Sequence, residues 1–213
     1  MNKTEKAVSI FNSFAQLYSD KFMDVSLYGE SFDIFCNALK RENATVLELA
    51  CGPGNVTNYL LDKRPDLKVL GTDLALNMIN LAKINNPTAH FQLMDCRDLL
   101  SLNKKFDGVM AAFCLPYLSK EDTITLIGRC SKVLNESGVL YLSTMEDNYS
   151  QSGWETGSTG DQMFMHYHEA GYLTETLKKN GFEIIDLQRK SYPGKGDKVV
   201  TDLLIVAQKN TDL

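Results

Sequence analysis

Three acidic residues and two glycines in this chain have the types and order of a nucleoside-binding set: Glu48, Gly52, Gly54, Asp73 and Asp95. The glycines lie in Cys51-Gly52-Pro53-Gly54, after the apolar run 45–50 and before the helical pattern 55–63. Strand, glycine turn and helix form the local geometry of a nucleotide or nucleoside site. Glycine lets backbone approach a ligand with no Cβ in the way. Asp73 closes the next apolar run, where a carboxylate can accept hydrogen bonds from both hydroxyls of a ribose; its competing role is to cap the following helix. Asp95 follows a third run, where a carboxylate beside a backbone N–H can read an adenine amine. Its competing role, or that of Asp98, is to hold a turn. His166 and His168 are the candidate general bases; they share a face if their segment is extended and separate if it is helical. Their competing role is to cap the next helix or bond within their own segment. With Glu169 the only further candidate ligand, the pair is too sparse for a metal site, and none is expected.

Spacing separates the possible ligands. A P-loop needs Gly-Lys-Ser/Thr after its glycines, and Asn55-Val56 stands there instead. A dinucleotide turn wants a third glycine at position 57, which is threonine. Glu-x-x-x-Gly-x-Gly remains and fits without amendment. In Glu48, Gly52, Gly54 and Asp73, with Asp95 as a frequent variant, the chain resembles the class I S-adenosylmethionine-dependent methyltransferases of bacterial small-molecule type. The resemblance covers residues 45–143 in motif detail and implies S-adenosylmethionine as cofactor and S-adenosylhomocysteine as product. It implies cofactor contacts from Glu48, Ala50, Gly52 and Gly54 at the methionine end, Asp73 and Leu74 at the ribose, and Asp95 and Cys96 at the adenine. In Ala112-Phe113-Cys114-Leu115-Pro116-Tyr117 it implies a backbone carbonyl near Ala112 or Phe113 for the cofactor's ammonium group, with Phe113 or Leu115 walling the sulfonium. Tyr18 and Tyr28, in the helical preamble, are similar to tyrosines that close over the cofactor's carboxylate in that family. Pro116 departs from the histidine many small-molecule members carry, and the Asn/Asp-Pro-Pro-Tyr signature of nucleic-acid amino methyltransferases is missing.

The elements that must hold these residues follow from periodicity. Strands are predicted at 45–50, 67–73, 89–93, 106–112, 139–143, 182–187 and 199–207, with helices between them at 55–63, 76–84, about 119–134 and 169–180. Ser119 with Asp122 opens the third of these helices by a near-capping-box pattern. Alternation of this kind predicts an α/β fold: a seven-stranded, mostly parallel, doubly wound sheet with helices on both faces and an antiparallel last strand, the last pair turning at 193–197. Two helical stretches precede the sheet, 4–20 with the stripe Ala7, Ile10, Phe14 and Leu17, and 29–41 with Phe32, Phe35, Cys36 and Leu39. A single domain is expected, with a helical cap at 1–43, a cofactor-binding core at 44–144, an irregular lid at 145–167, and a C-terminal helix and strand hairpin at 168–213.

Composition bounds the partners. The 213 residues carry a formal net charge of −5 and no Lys/Arg-rich run, which argues against nucleic acid. Five widely spaced cysteines form neither a disulfide framework nor a zinc motif, and no apolar run reaches signal or membrane-spanning length. A cytoplasmic protein acting on a small-molecule acceptor is expected, with its oligomeric state unread. Two other functions compete: a sensor or scaffold that binds the cofactor without transferring a methyl group, and a nicotinamide-dependent dehydrogenase, which Thr57 disfavours.

Overall fold

The computed structural model describes residues 2–157, 159–194 and 199–211. In chain order the helices are α1 (Lys3–Ser13), α2 (Ala15–Phe22), α3 (Gly29–Ala38), α4 (Asn55–Lys63), α5 (Leu76–Asn85), α6 (Lys120–Val133) and α7 (Ala170–Lys179). The strands are β1 (Thr45–Leu49), β2 (Lys68–Asp73), β3 (His90–Leu93), β4 (Phe106–Ala111), β5 (Leu134–Met145), β6 (Gly153–Thr156), β7 (Gln162–Met165), β8 (Phe182–Pro193) and β9 (Val199–Lys209). Seven of them make one sheet in the order β3-β2-β1-β4-β5-β9-β8. β1 to β5 pair in parallel, and β9 runs antiparallel between β5 and β8. The predicted sheet, with only its last strand reversed, is the one found. Most of the predicted 193–197 turn lies outside the described residues.

The central strands are covered on both faces, which is why they read as continuous apolar runs. Leu47, Leu49, Val109, Leu140, Leu142 and Ile205 pack with Ile127 and Cys130 of α6 and Leu173 and Leu177 of α7. The alternate positions Val46, Val69, Met110, Tyr141 and Val206 pack with Phe32 and Phe35 of α3 and Val56 and Leu60 of α4. α3 is therefore part of a sheet-covering layer. A Cβ on Gly108 would come within 2.8 Å of the Phe35 ring, so glycine in β4 lets that helix sit close.

Two expectations need correction. The stretch 4–20 is two helices, broken at Phe14 (φ −111°, ψ 22°). The break shifts the inward face to Ala7, Phe11, Ala15 and Tyr18, and leaves Leu17 51% exposed. The segment 145–167 is not irregular. It holds a 3-10 turn at Tyr149–Gln151 and the antiparallel hairpin β6–β7, with Trp154 opposite Phe164 and their rings edge-to-face at 5.6 Å. α1 reaches this hairpin: Lys3 Nζ lies 3.2 Å from the Phe164 ring centroid and Lys6 Nζ 4.9 Å from that of Trp154, cation–π distances in both cases.

Candidate functional site

Chain reversal at the carboxyl end of β1 is sharp. Ala50 (φ 52°), Gly52 (φ 54°) and Gly54 (φ 80°) all adopt left-handed backbone. Two backbone bonds hold the turn, Cys51 N–H to Thr72 O at 2.9 Å and Gly54 N–H to Cys51 O at 3.0 Å. The glycines differ in purpose. A Cβ on Gly52 would meet only the Tyr18 ring, at 3.9 Å, so this residue faces open space. A Cβ on Gly54 would fall 2.4 Å from Asn86 Nδ2 and 3.3 Å from Ala82. Gly54 lets α4 and α5 pack, and it does not line the cavity described below. The structure thus places Gly54, expected as a cofactor contact, at a packing position off the cavity wall.

Asp73 ties the turn to β2. One carboxylate oxygen accepts from Gly52 N–H at 2.9 Å and the other from Ala75 N–H at 2.8 Å. Burial raises the carboxyl above the usual range, and the backbone N–H donors work against that rise. Each oxygen keeps a free lone pair, so the turn-holding and ribose-binding roles are compatible. Glu48 is buried and accepts from the Thr57 hydroxyl; burial pushes its carboxyl up to about 8. Asp95 is engaged by a neighbour the sequence reading passed over. Arg97 donates to it from the backbone at 2.8 Å and from Nη2 at 2.6 Å. Burial would raise the Asp95 carboxyl, but these bonds outweigh it and hold the group below the carboxylate range.

A cavity of about 420 Å³, in the range of small-molecule sites, opens along the carboxyl ends of the strands. Glu48, Ala50, Gly52, Asp73, Leu74, Asp95, Cys96, Ala112, Phe113, Tyr18 and Tyr28 all contribute to its wall. Phe113 adopts φ 53°, and its N–H donates to Ser143 Oγ at 2.9 Å, which fixes the chain leaving β4. Tyr28 packs on the Phe113 ring at 5.0 Å. Its hydroxyl donates to Asp202 Oδ2 at 2.7 Å. Tyr18 lies over Gly52. The cavity also takes in Tyr117, Tyr192 and Asp202, none of which the sequence reading singled out as site residues. The one available signal was Asp202 itself, a lone carboxylate in the apolar strand 199–207.

His166 and His168 are not on the cavity wall. Both pack against the turn Leu115–Tyr117. His166 N–H donates to Pro116 O at 2.8 Å, and His168 Nε2 bonds Leu115 O at 2.9 Å. His168 N–H also donates to Met145 O at 3.1 Å, and the Nδ1 atoms bond tyrosine hydroxyls, His166 with Tyr149 at 3.2 Å and His168 with Tyr172. The structure places both candidate bases off the cavity wall, buried and hydrogen-bonded to these partners. Burial lowers both imidazoles below their usual value, His166 to about 4. No cluster of three or more potential metal ligands occurs among the described residues, and no helix there is long and apolar enough to cross a membrane.

Residues 46–138 match a family model described as a methyltransferase domain. Putative methyltransferase 235L of Invertebrate iridescent virus 6 is 32% identical over 109 residues, 50% of this chain and 40% of the relative. Trans-aconitate 2-methyltransferase of Variovorax paradoxus is 35% identical over 107 residues, again 50% and 40%. The matched region thus spans well under two thirds of these relatives' length. An S-adenosylmethionine-dependent methyltransferase from Clostridium acetobutylicum superposes with a TM-score of 0.72 at 18% identity, covering 95% of this chain and 100% of the other. At that identity the likeness is one of fold.

Proposed function

We propose, for a chain whose residues 46–138 match a methyltransferase-domain model and whose sheet superposes on an S-adenosylmethionine-dependent methyltransferase, that the protein is an S-adenosylmethionine-dependent methyltransferase acting on a small-molecule acceptor. The observation that carries this reading is the single cavity that takes in both the Gly52–Asp73 turn and the aromatic end at Phe113 and Tyr28. Gly52 leaves room for a ligand where any side chain would project toward Tyr18, and the free lone pairs of Asp73 suit the hydroxyls of a ribose. Ala50, Leu74 and Cys96 supply neighbouring wall at the nucleoside end. Asp95 takes two donors from Arg97 on each oxygen, so an adenine amine reaching it shares an oxygen with the guanidinium.

When bound, S-adenosylmethionine supplies a methyl group activated by a sulfonium, transferred in line to a nucleophile with cleavage of the carbon–sulfur bond. The chain's part is alignment and exclusion of water. Phe113, held by Ser143 and backed by Tyr28, offers a ring face to a positively polarised methyl group. Tyr18, Phe11 and Tyr117 close the side beneath α1, with rings edge-to-face at 5.7 and 5.2 Å. The five cysteines are free and fit a reducing cytoplasm.

Calorimetric titration with S-adenosylhomocysteine tests the reading. Micromolar binding is expected in the wild type and loss of it in Gly52→Arg, with the fold retained by circular dichroism. Methyl transfer to members of a metabolite panel should then follow. No binding at millimolar ligand overturns the reading.

A further inference from the structure

We propose that Asp202, flanked by Tyr28 and Tyr192, is the acceptor subsite, and that it takes an apolar amine whose nitrogen gives its proton to the Asp202 carboxylate. The assignment rests on the methyltransferase reading for its chemistry and on the cavity alone for its selectivity.

Position comes first. Asp73 ends β2, while Asp202 lies in β9, four strand spacings away across β1, β4 and β5, about 19 Å. Both line the same cavity. A nucleoside held at Asp73 and Asp95 leaves the β9 end for a second molecule, and Phe113, at the end of β4, stands between the two. Asp202 is paired with Met145 in the β5–β9 ladder, and Met145 also lines the cavity.

Chemistry comes second. Asp202 is fully withdrawn from bulk solvent, yet it has no cation bound to it among the described residues. Its two oxygens accept from Tyr28 at 2.7 Å and Tyr192 at 3.4 Å. Lys190 stands opposite it in the β8–β9 ladder, but that ammonium is held by Glu30 at 3.2 Å. The tyrosine bonds leave lone pairs on a carboxylate in the cavity wall.

Charge around the cavity points the same way. Asp24, Asp73, Asp95 and Asp202 all line it, against Arg97 as the one guanidinium or ammonium among the described lining residues. Arg97 is already committed to Asp95 at 2.6 Å, with Asp122 at 3.9 Å. A carboxylic acid acceptor would meet repulsion and find no free cation among the described lining residues. An amine meets a carboxylate and the ring faces of Tyr28 and Phe113, both favourable to positive charge.

The step balances. The amine arrives as an ammonium and passes one proton to the Asp202 carboxylate. Its freed lone pair forms a bond to the methyl carbon as the carbon–sulfur bond breaks, and that electron pair stays on sulfur as a neutral thioether. The methylated ammonium leaves, and the Asp202 proton returns to solvent.

The test uses phenethylamine and 3-phenylpropionate, two probes of similar shape and opposite charge, titrated into protein saturated with S-adenosylhomocysteine. Wild type should bind the amine at least tenfold tighter than the acid. Asp202→Asn should abolish that preference while changing S-adenosylhomocysteine affinity less than twofold. Tyr192→Phe, which keeps the charge, should preserve the preference. Equal or tighter binding of the acid overturns the proposal, as does binding of neither probe or survival of the preference in Asp202→Asn. Failure of S-adenosylhomocysteine to bind overturns the methyltransferase reading alone, because the same two titrations on ligand-free protein still decide the subsite.

Discussion

The Thr57 hydroxyl donates to the Glu48 carboxyl group inside the protein, with both side chains shielded from solvent. Thr57 occupies the position where a dinucleotide turn would carry glycine, and its hydroxyl explains how a buried acid is tolerated at the end of β1. Thr57→Val keeps the shape and removes the donor. A loss of about 1–3 kcal/mol in urea denaturation is expected, the cost of an unsatisfied buried polar group. No change in the midpoint would show that the bond contributes nothing.

Glu48 also sets a pH dependence. Its folded value of about 8 lies above its ordinary 4.5, so the folded state retains a proton the unfolded chain gives up. The associated stability is fully present below pH 4.5 and is lost as pH rises through 8. His166 runs the other way. Its folded value of about 4 lies below the ordinary 6.5, so its share is present above pH 6.5 and is lost as pH falls through 4. Glu48→Gln should flatten the decline of ligand-free protein between pH 4.5 and 8, and His166→Gln the decline between pH 6.5 and 4. Denaturation midpoints at closely spaced pH values separate the two. A curve for either variant parallel to wild type would refute that assignment.

Gly52 and Gly54 should fail differently. Gly54→Ala puts a methyl group 2.4 Å from Asn86 Nδ2 in left-handed backbone, and should lower stability by more than about 1 kcal/mol. Gly52→Ala carries the backbone cost of about 1–2 kcal/mol but meets no packed neighbour. Its defect should be at least tenfold weaker S-adenosylhomocysteine binding. Thermal melts and calorimetry run side by side would reveal equal profiles if this division is wrong.

His168→Ala should be a stability variant. It strips partners from Leu115 O and the Tyr172 hydroxyl and should cost about 1–3 kcal/mol. Once an acceptor is in hand, His166→Gln should retain methyl transfer within about threefold. A drop in kcat of a hundredfold at unchanged stability would restore this residue as a base.

Tyr18 and Tyr28 should also part ways. Tyr28 is bound to Asp202, whereas Tyr18 lies over Gly52, its hydroxyl raised to about 12 by burial and then by nearby Asp73. Tyr18→Ala should weaken S-adenosylhomocysteine binding by at least fivefold and Tyr28→Phe by less than twofold. The reverse order in a binding titration would exchange their roles.

What was readable in the sequence is what is local. The glycine turn, the βα alternation and the reversed last strand all follow from patterns a few residues wide. Site features that depend on distant chain were not readable. Tyr28 and Asp202 meet across 174 positions, and no pattern near either one announces the other. The histidine pair looked reactive because its burial depends on the Leu115–Tyr117 turn, which folds against it from elsewhere. The inward face of the first helices was misjudged because one residue, Phe14, leaves helical geometry and resets the register for all that follow. The β6–β7 hairpin was hidden by glycine and polar residues, which obscure alternation in strands this short.

The ends of the strands at the glycine turn, Asp73 and Asp95 lie within the span 46–138 matched by the methyltransferase-domain model. Asp202 and Tyr192 arrive on β8 and β9, beyond that span, joined to the rest chiefly by the ladder between β5 and β9. The two ends of the cavity are thus built from separate stretches of chain. On the proposed function, exchanging the terminal hairpin while keeping the register along Val139–Met145 would change the acceptor end and leave the donor end intact.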